Sequence, residues 1–153
     1  MQKIADKIWV YILCPGWSFI INCLYWLFHP QNYKSAMKQK TYYELDRGNM
    51  HSIKLIISRN EYTPDKFKDW TPWVITFIAR GYKDDCDGAA VFGKFLFKSA
   101  GIKAKILHLR GKTGGHAVCV TTDGHWMITN NQLIQLDGVS PLKYFSYTYD
   151  RII

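Results

Sequence analysis

Cys86, His116 and Asn130 are the residues of this chain whose types and order could make and break an acyl bond. A thiolate attacks a carbonyl carbon, a neighbouring imidazole generates that thiolate, and a third polar side chain holds the ring's tautomer. They lie in Asp84-Asp85-Cys86-Asp87-Gly88-Ala89-Ala90, Gly115-His116-Ala117-Val118 and Trp126-Met127-Ile128-Thr129-Asn130. Taken singly each has a bland explanation. Cysteine is usually a small buried hydrophobe, a strand histidine a satisfied core residue, and an asparagine after a strand a turn former. Their joint order, one at a helix start and two along a hairpin, is what points to a site.

The positioning elements follow from the pattern around them. Gly88 to Ser99 has helical length and closes at Gly101, a residue suited to the left-handed conformation just past a helix end. Cys86 therefore sits at a helix N-terminus, where unpaired N–H groups and the helix dipole favour a thiolate. Asp84, Asp85 and Asp87 suit the same helix end but oppose thiolate formation, so the two signs conflict. Val91, Phe92, Phe95, Leu96 and Phe97 make the helix apolar nearly all round, leaving Lys94 and Lys98 as its wet stripe. Such a helix is expected to be central. Ile102 to Leu109 alternates as a half-buried strand, Gly111 to Gly115 turns, and His116 to Thr121 alternates again. His116, Val118 and Val120 then share one sheet face, with Ala117 and Cys119 on the other. Asp123-Gly124 turns the chain into His125 to Asn130, Gln132 to Leu136 adds a strand, and Tyr144 to Tyr149 is expected as a last edge strand.

Asp-Cys-Asp before a small-residue helix, a Gly-Ile strand start, His-Ala on the next strand and Trp-x-x-x-Asn after it resemble the transglutaminase-like cysteine peptidases of bacteria and phages. The resemblance covers the second half of the chain and implies a papain-like core, with Cys86 as nucleophile, His116 as base and Asn130 as the orienting group. Two positions depart from the family pattern. The third member is commonly Asp, and the bulky residue after His-Ala is Val118 here. The implied activity is acyl transfer through a thioester, first peptide or amide hydrolysis and next crosslinking or acylation of an amine, on a protein or peptide substrate. It asks for no metal or cofactor. Hairpin geometry bears on the third member: a two-residue Asp123-Gly124 loop sets His116 opposite Asn131, whereas a three-residue loop with Gly124 as a bulge residue sets it opposite Asn130. The resemblance favours Asn130.

At 153 residues the chain has the size of one domain, with residues 1–50 read as a helical N-terminal extension and 52–153 as the catalytic core. The fold class expected is α+β, a catalytic helix packed on a small antiparallel sheet. A net charge of +8 favours an acidic partner or an anionic surface. No basic run, zinc-finger spacing or RNA-binding aromatic signature accompanies it, so a specific nucleic-acid site is not expected. The four cysteines form neither a C-x-x-C pair nor a disulfide framework, which suits a reducing, cytoplasmic compartment. Residues 8–28 are strongly apolar but interrupted by Pro15-Gly16, so two short helices, Gln2 to Leu13 and Trp17 to Phe28, buried or interfacial, are expected, with a membrane anchor next and a cleaved secretory signal last among the alternatives. Asn32 to Gly48 reads as a further helix, Ser52 to Ser58 as a strand or a helix, and Thr63-Pro64 and Thr71-Pro72 as helix starts. Trp70 and Trp73 are expected to fill the core, or else to line a groove beside Cys86. Two other function classes stand beside the enzyme: a structural or interaction module that keeps the fold without the reaction, as in a phage particle, and a basic nucleic-acid-binding protein.

Overall fold

The sequence periods become an α+β fold in the computed structural model, which describes residues 14–45, 49–64, 71–112, 114–145 and 148–153. Strands β3 Ala104–Arg110, β4 Gly115–Thr121, β5 Trp126–Thr129, β6 Gln132–Gln135 and β7 Arg151–Ile152 form one antiparallel sheet in the order β6-β5-β4-β3-β7. Helix α5, Cys86–Ser99, crosses one face of it. Phe92, Leu96 and Phe97 of α5 are buried with Ala117, Cys119 and Ile128 of the sheet, while Lys94 and Lys98 face water as expected. Burying each phenylalanine side chain contributes about 1.5–3 kcal/mol of transfer free energy. A Cβ at position 93 would stand 3.0 Å from Ile128, so glycine is what lets α5 approach β5. Gly101 ends the helix with φ +77°, the left-handed conformation read from the sequence. The other sheet face buries Leu109, Val118, Val120, Met127 and Leu136 beneath Leu142, Phe145 and Tyr149.

Ahead of this lie α1 Cys14–Phe28, α2 Pro30–Leu45, α3 Met50–Ile57 and α4 Val74–Ala79, with a short parallel pair of β1 Glu61–Tyr62 and β2 Lys83–Asp84. Ala36 and Tyr43 of α2 join Ile53, Ile57, Phe77 and Phe92 in the same buried cluster, so α2 belongs to the main core. No described helix is long and apolar enough to cross a membrane.

Several local expectations are corrected. Helix α2 begins at Pro30, two residues early, because proline suits a first helical turn. Of the strand or helix read over Ser52 to Ser58, the helix is the one that forms, as α3, with Asn49 as N-cap accepting the Ser52 N–H at 3.0 Å. Thr71 does not cap α4. Its N–H donates to Ser18 Oγ at 2.7 Å and its carbonyl accepts from Asn22 at 3.1 Å, and the helix starts after Trp73 instead. Trp73 is 41% exposed with its ring edge-on to Phe19, so it does not fill the core. The edge strand expected over Tyr144 to Tyr149 does not form at its described residues: Tyr144 ends a short helix α6, Pro141–Tyr144, capped by Ser140, and the edge position passes to β7. The helix expected over Gln2 to Leu13, Trp70, and the segment after Thr63-Pro64 fall outside the described residues.

Candidate active site

Three aspartates around Cys86, Asp84, Asp85 and Asp87, set the start of α5. Asp85 is its N-cap, its carboxylate accepting the Asp87 N–H at 2.9 Å, which makes Cys86 the first helical residue. Asp84 is buried and ion-paired with Arg80. Its carboxylate fills the place a Cβ at position 88 would occupy, so the Asp-Cys-Asp-Gly run packs only with glycine in fourth place. The Cys86 sulfur lies 4.0 Å from Asp87 Oδ1 and faces the backbone N–H of Ala117. Burial pushes the thiol up to about 12 and the charges of Asp87 and Asp85 add to the rise, while the Ala117 N–H works against it. The conflict of signs is thus decided in favour of the protonated thiol.

His116 stands on the sheet face turned away from α5. Its ring stacks on Tyr149 at 5.7 Å with planes 12° apart, and meets Phe145 edge-on at 5.5 Å. Burial lowers its pKa below the ordinary 6.5, so the ring is neutral at neutral pH. Nε2 lies 2.7 Å from Thr129 Oγ1. With Nε2–H donating to that hydroxyl, Nδ1 keeps a lone pair able to accept a proton.

Asn130 is placed differently from the expectation. The β4–β5 ladder pairs Cys119 with Ile128 and Val120 with Met127, the register of the shorter loop. Continued to the end of β4 it sets His116 opposite Asn131, with Thr129 as the diagonal neighbour on the same face and Asn130 on the other. The connection itself is residues 122–125. Thr121 Oγ1 accepts the Trp126 N–H at 3.0 Å and replaces a ladder bond with a side-chain one. Asn130 opens the two-residue Asn130-Asn131 loop between Thr129 and Gln132 with φ +48°. That is a turn-forming task asparagine tolerates. Its carbonyl accepts from Asn60 Nδ2 at 3.0 Å, and its own Oδ1 is buried with no hydrogen-bond partner among the described residues. Among the described residues no hydrogen bond joins Asn130 to the His116 ring; Thr129 makes the orienting contact.

Nor does a hydrogen bond join Cys86 to His116 among the described residues. They approach through shared neighbours. Cys86 faces Ala117, the residue after His116, and Tyr149 both stacks on the His116 ring and lies within electrostatic range of the Cys86 sulfur. Thr129, Phe145 and Tyr149 are the site residues that sequence reasoning missed. Thr129 was recoverable from face alternation once the register was right. A second half-buried imidazole, His108, pairs with Ala117 from β3 and so shares the face turned toward α5; burial lowers its pKa too. Asp85, Cys86 and Asp87 offer three ligand atoms within 4.8 Å of one another, the described residues best placed to share an ion, although the Asp85 carboxylate already caps Asp87. A surface groove of about 570 Å³, lined by Lys38, Tyr42, Tyr43, Arg59 and Tyr82 among others, includes neither Cys86 nor His116. No family model, curated protein or solved structure matches the chain.

Proposed function

We propose that the chain is a cysteine-dependent acyl-transfer enzyme of papain-like, transglutaminase-like design, acting on amide bonds of a protein or peptide. One contact carries this: the sulfur of the first α5 residue faces the N–H of Ala117, bringing the nucleophile helix against the histidine strand at adjoining residues. In this reading Cys86 Sγ bonds to the carbonyl carbon while its proton passes to His116 Nδ1, whose ring must come round the end of β4 from the face turned away from α5 to meet the sulfur. Transfer must accompany attack, because the thiol is pushed up to about 12 and the ring is neutral. Thr129 holds Nε2, and Tyr149 and Phe145 fix the plane of the ring. The Cys86 N–H, at the helix start, is the donor for the tetrahedral oxyanion. The C–N bond then breaks as the imidazolium returns the proton to the leaving amine, and water, or a second amine, takes the acyl group from sulfur. Hydrolysis is the first choice between these.

Turnover of peptide amides tests the assignment. Cys86→Ala is expected to abolish it in a folded protein and His116→Ala to lower it by about 10²–10⁴-fold. The double variant should be no worse than Cys86→Ala, since residues acting as a unit do not lose activity additively. Activity surviving Cys86→Ala, or a double variant far below both single ones, would defeat it. The protonated thiol and the ring held by Thr129 favour a second reading, an interaction module that keeps the fold without the reaction. In that case Cys86→Ala leaves the protein's function intact.

A further inference from the structure

Helix α1 turns its apolar side outward. Cys14–Phe28 contains no charged residue, and Phe19, Ile20, Leu24, Trp26, Leu27 and Phe28 are each more than two-fifths exposed, Phe28 reaching 71%. Projected at 100° per residue these side chains cover about half the helix circumference, wider than the stripe of roughly 100° by which a surface helix packs on its own core. Trp73, 41% exposed and edge-on to Phe19, continues the patch beyond the helix. The buried side is polar instead. Asn22 Oδ1 accepts the Trp73 N–H at 2.8 Å, its Nδ2 donates to the Thr71 carbonyl at 3.1 Å, and Ser18 Oγ accepts the Thr71 N–H at 2.7 Å. Those bonds fix the rotation of α1, so it cannot roll to cover its apolar half without leaving buried polar groups unpaired.

We infer that α1 is an in-plane membrane-docking helix and that its partner is an anionic lipid surface. Its 15 residues measure about 22 Å at 1.5 Å per residue, short of the roughly 30 Å hydrocarbon core. A helix of that length, held side-on by Ser18 and Asn22, lies along an interface with one face immersed. Trp17 stands near one end and Trp26 near the other, the residue type that partitions to the headgroup boundary. Lys34 and Lys38, one turn apart and exposed on α2, follow within ten residues of Phe28, and the chain's net charge is +8. That charge complements acidic headgroups and opposes a second copy of the chain on the same face.

Flotation of the whole protein with phosphatidylserine-containing vesicles, against pure phosphatidylcholine, tests this. The protein is expected to float with the anionic vesicles. Leu24→Glu combined with Leu27→Glu should cut the bound fraction at least about tenfold, while circular dichroism stays unchanged because both sites are exposed. Lys34→Gln and Lys38→Gln should each weaken binding to the anionic vesicles about fivefold and leave phosphatidylcholine unaffected. Acyl chains carrying bromine should quench the tryptophan emission of the unsubstituted protein, most of the quench vanishing in Trp26→Leu. Folded protein that fails to float, or floats equally well with both leucines replaced, overturns the inference. So does a concentration-dependent dimer, broken by the leucine replacements, that binds no vesicles. Retention in the bilayer under alkaline carbonate would overturn the in-plane geometry by showing a spanning segment.

Discussion

Helices α1 and α5 look alike in sequence, both apolar almost all round, yet they resolve that pattern in opposite senses. In α5 the aromatic side is buried on the sheet and Lys94 and Lys98 face water. In α1 Ser18 and Asn22 are buried, at 5% and 0% exposed, and the aromatic side faces out. Apolar content says only that a helix needs cover; its few polar positions decide which side receives it. A lysine ammonium has no such place in an interior, so α5 must turn its lysines outward. An asparagine can be buried where backbone groups satisfy it, and the Thr71–Trp73 segment supplies them.

The contrast breaks first at the core. Phe97→Ala should cost about 3–5 kcal/mol in denaturant unfolding, the range for a buried phenylalanine, since Phe97 is fully buried. A loss below about 1 kcal/mol would mean that α5 is not packed as described. Asn22→Ala is the next largest, at about 1–3 kcal/mol, because it strips partners from the Trp73 N–H and the Thr71 carbonyl. Its comparison is Leu27→Glu, which should change stability in vesicle-free buffer by less than about 0.5 kcal/mol. If Asn22→Ala proved as mild as Leu27→Glu, the polar clamp would not be what orients α1.

Much of the site-bearing half was legible from residue types. The placement of Cys86 at a helix start, the wet stripe of Lys94 and Lys98, the left-handed Gly101 and the split of β4 into a His116 face and an Ala117 face all follow from local pattern, and the structure has them. Where local signals compete, the sequence misleads. Asn130 carries both a turn signal and a family resemblance, and a ladder offset of one residue moves it to the opposite face from His116. Thr71-Pro72 has the form of a helix cap, but long-range bonds to Ser18 and Asn22 claim its backbone groups first. At Tyr144 the expected strand start loses to the Ser140-Pro141 start of α6. In the first two cases the deciding partner is distant in sequence, so no window around the residue contains it; in the third, a nearby helix start outweighs the alternation.

The most direct test of the proposed chemistry is acylation of the resting protein by p-nitrophenyl acetate, followed by intact-mass and peptide mapping. A new S–C bond on Cys86 with release of nitrophenolate is expected, slowed by about 10²-fold or more in His116→Ala and little affected in His108→Ala. The pH profile has a definite shape. In the proposed mechanism the neutral His116 ring is the base, its pKa lowered below the ordinary 6.5 by burial, and the thiol does not ionise near the ordinary 9.0 because burial holds it up to about 12. The rate should therefore be nearly level between those two ordinary values. Acetyl groups found only on surface lysines, or a Cys86 rate that His116→Ala leaves unchanged and that climbs through 9.0 like a free thiol, would contradict a Cys86–His116 acyl-transfer site.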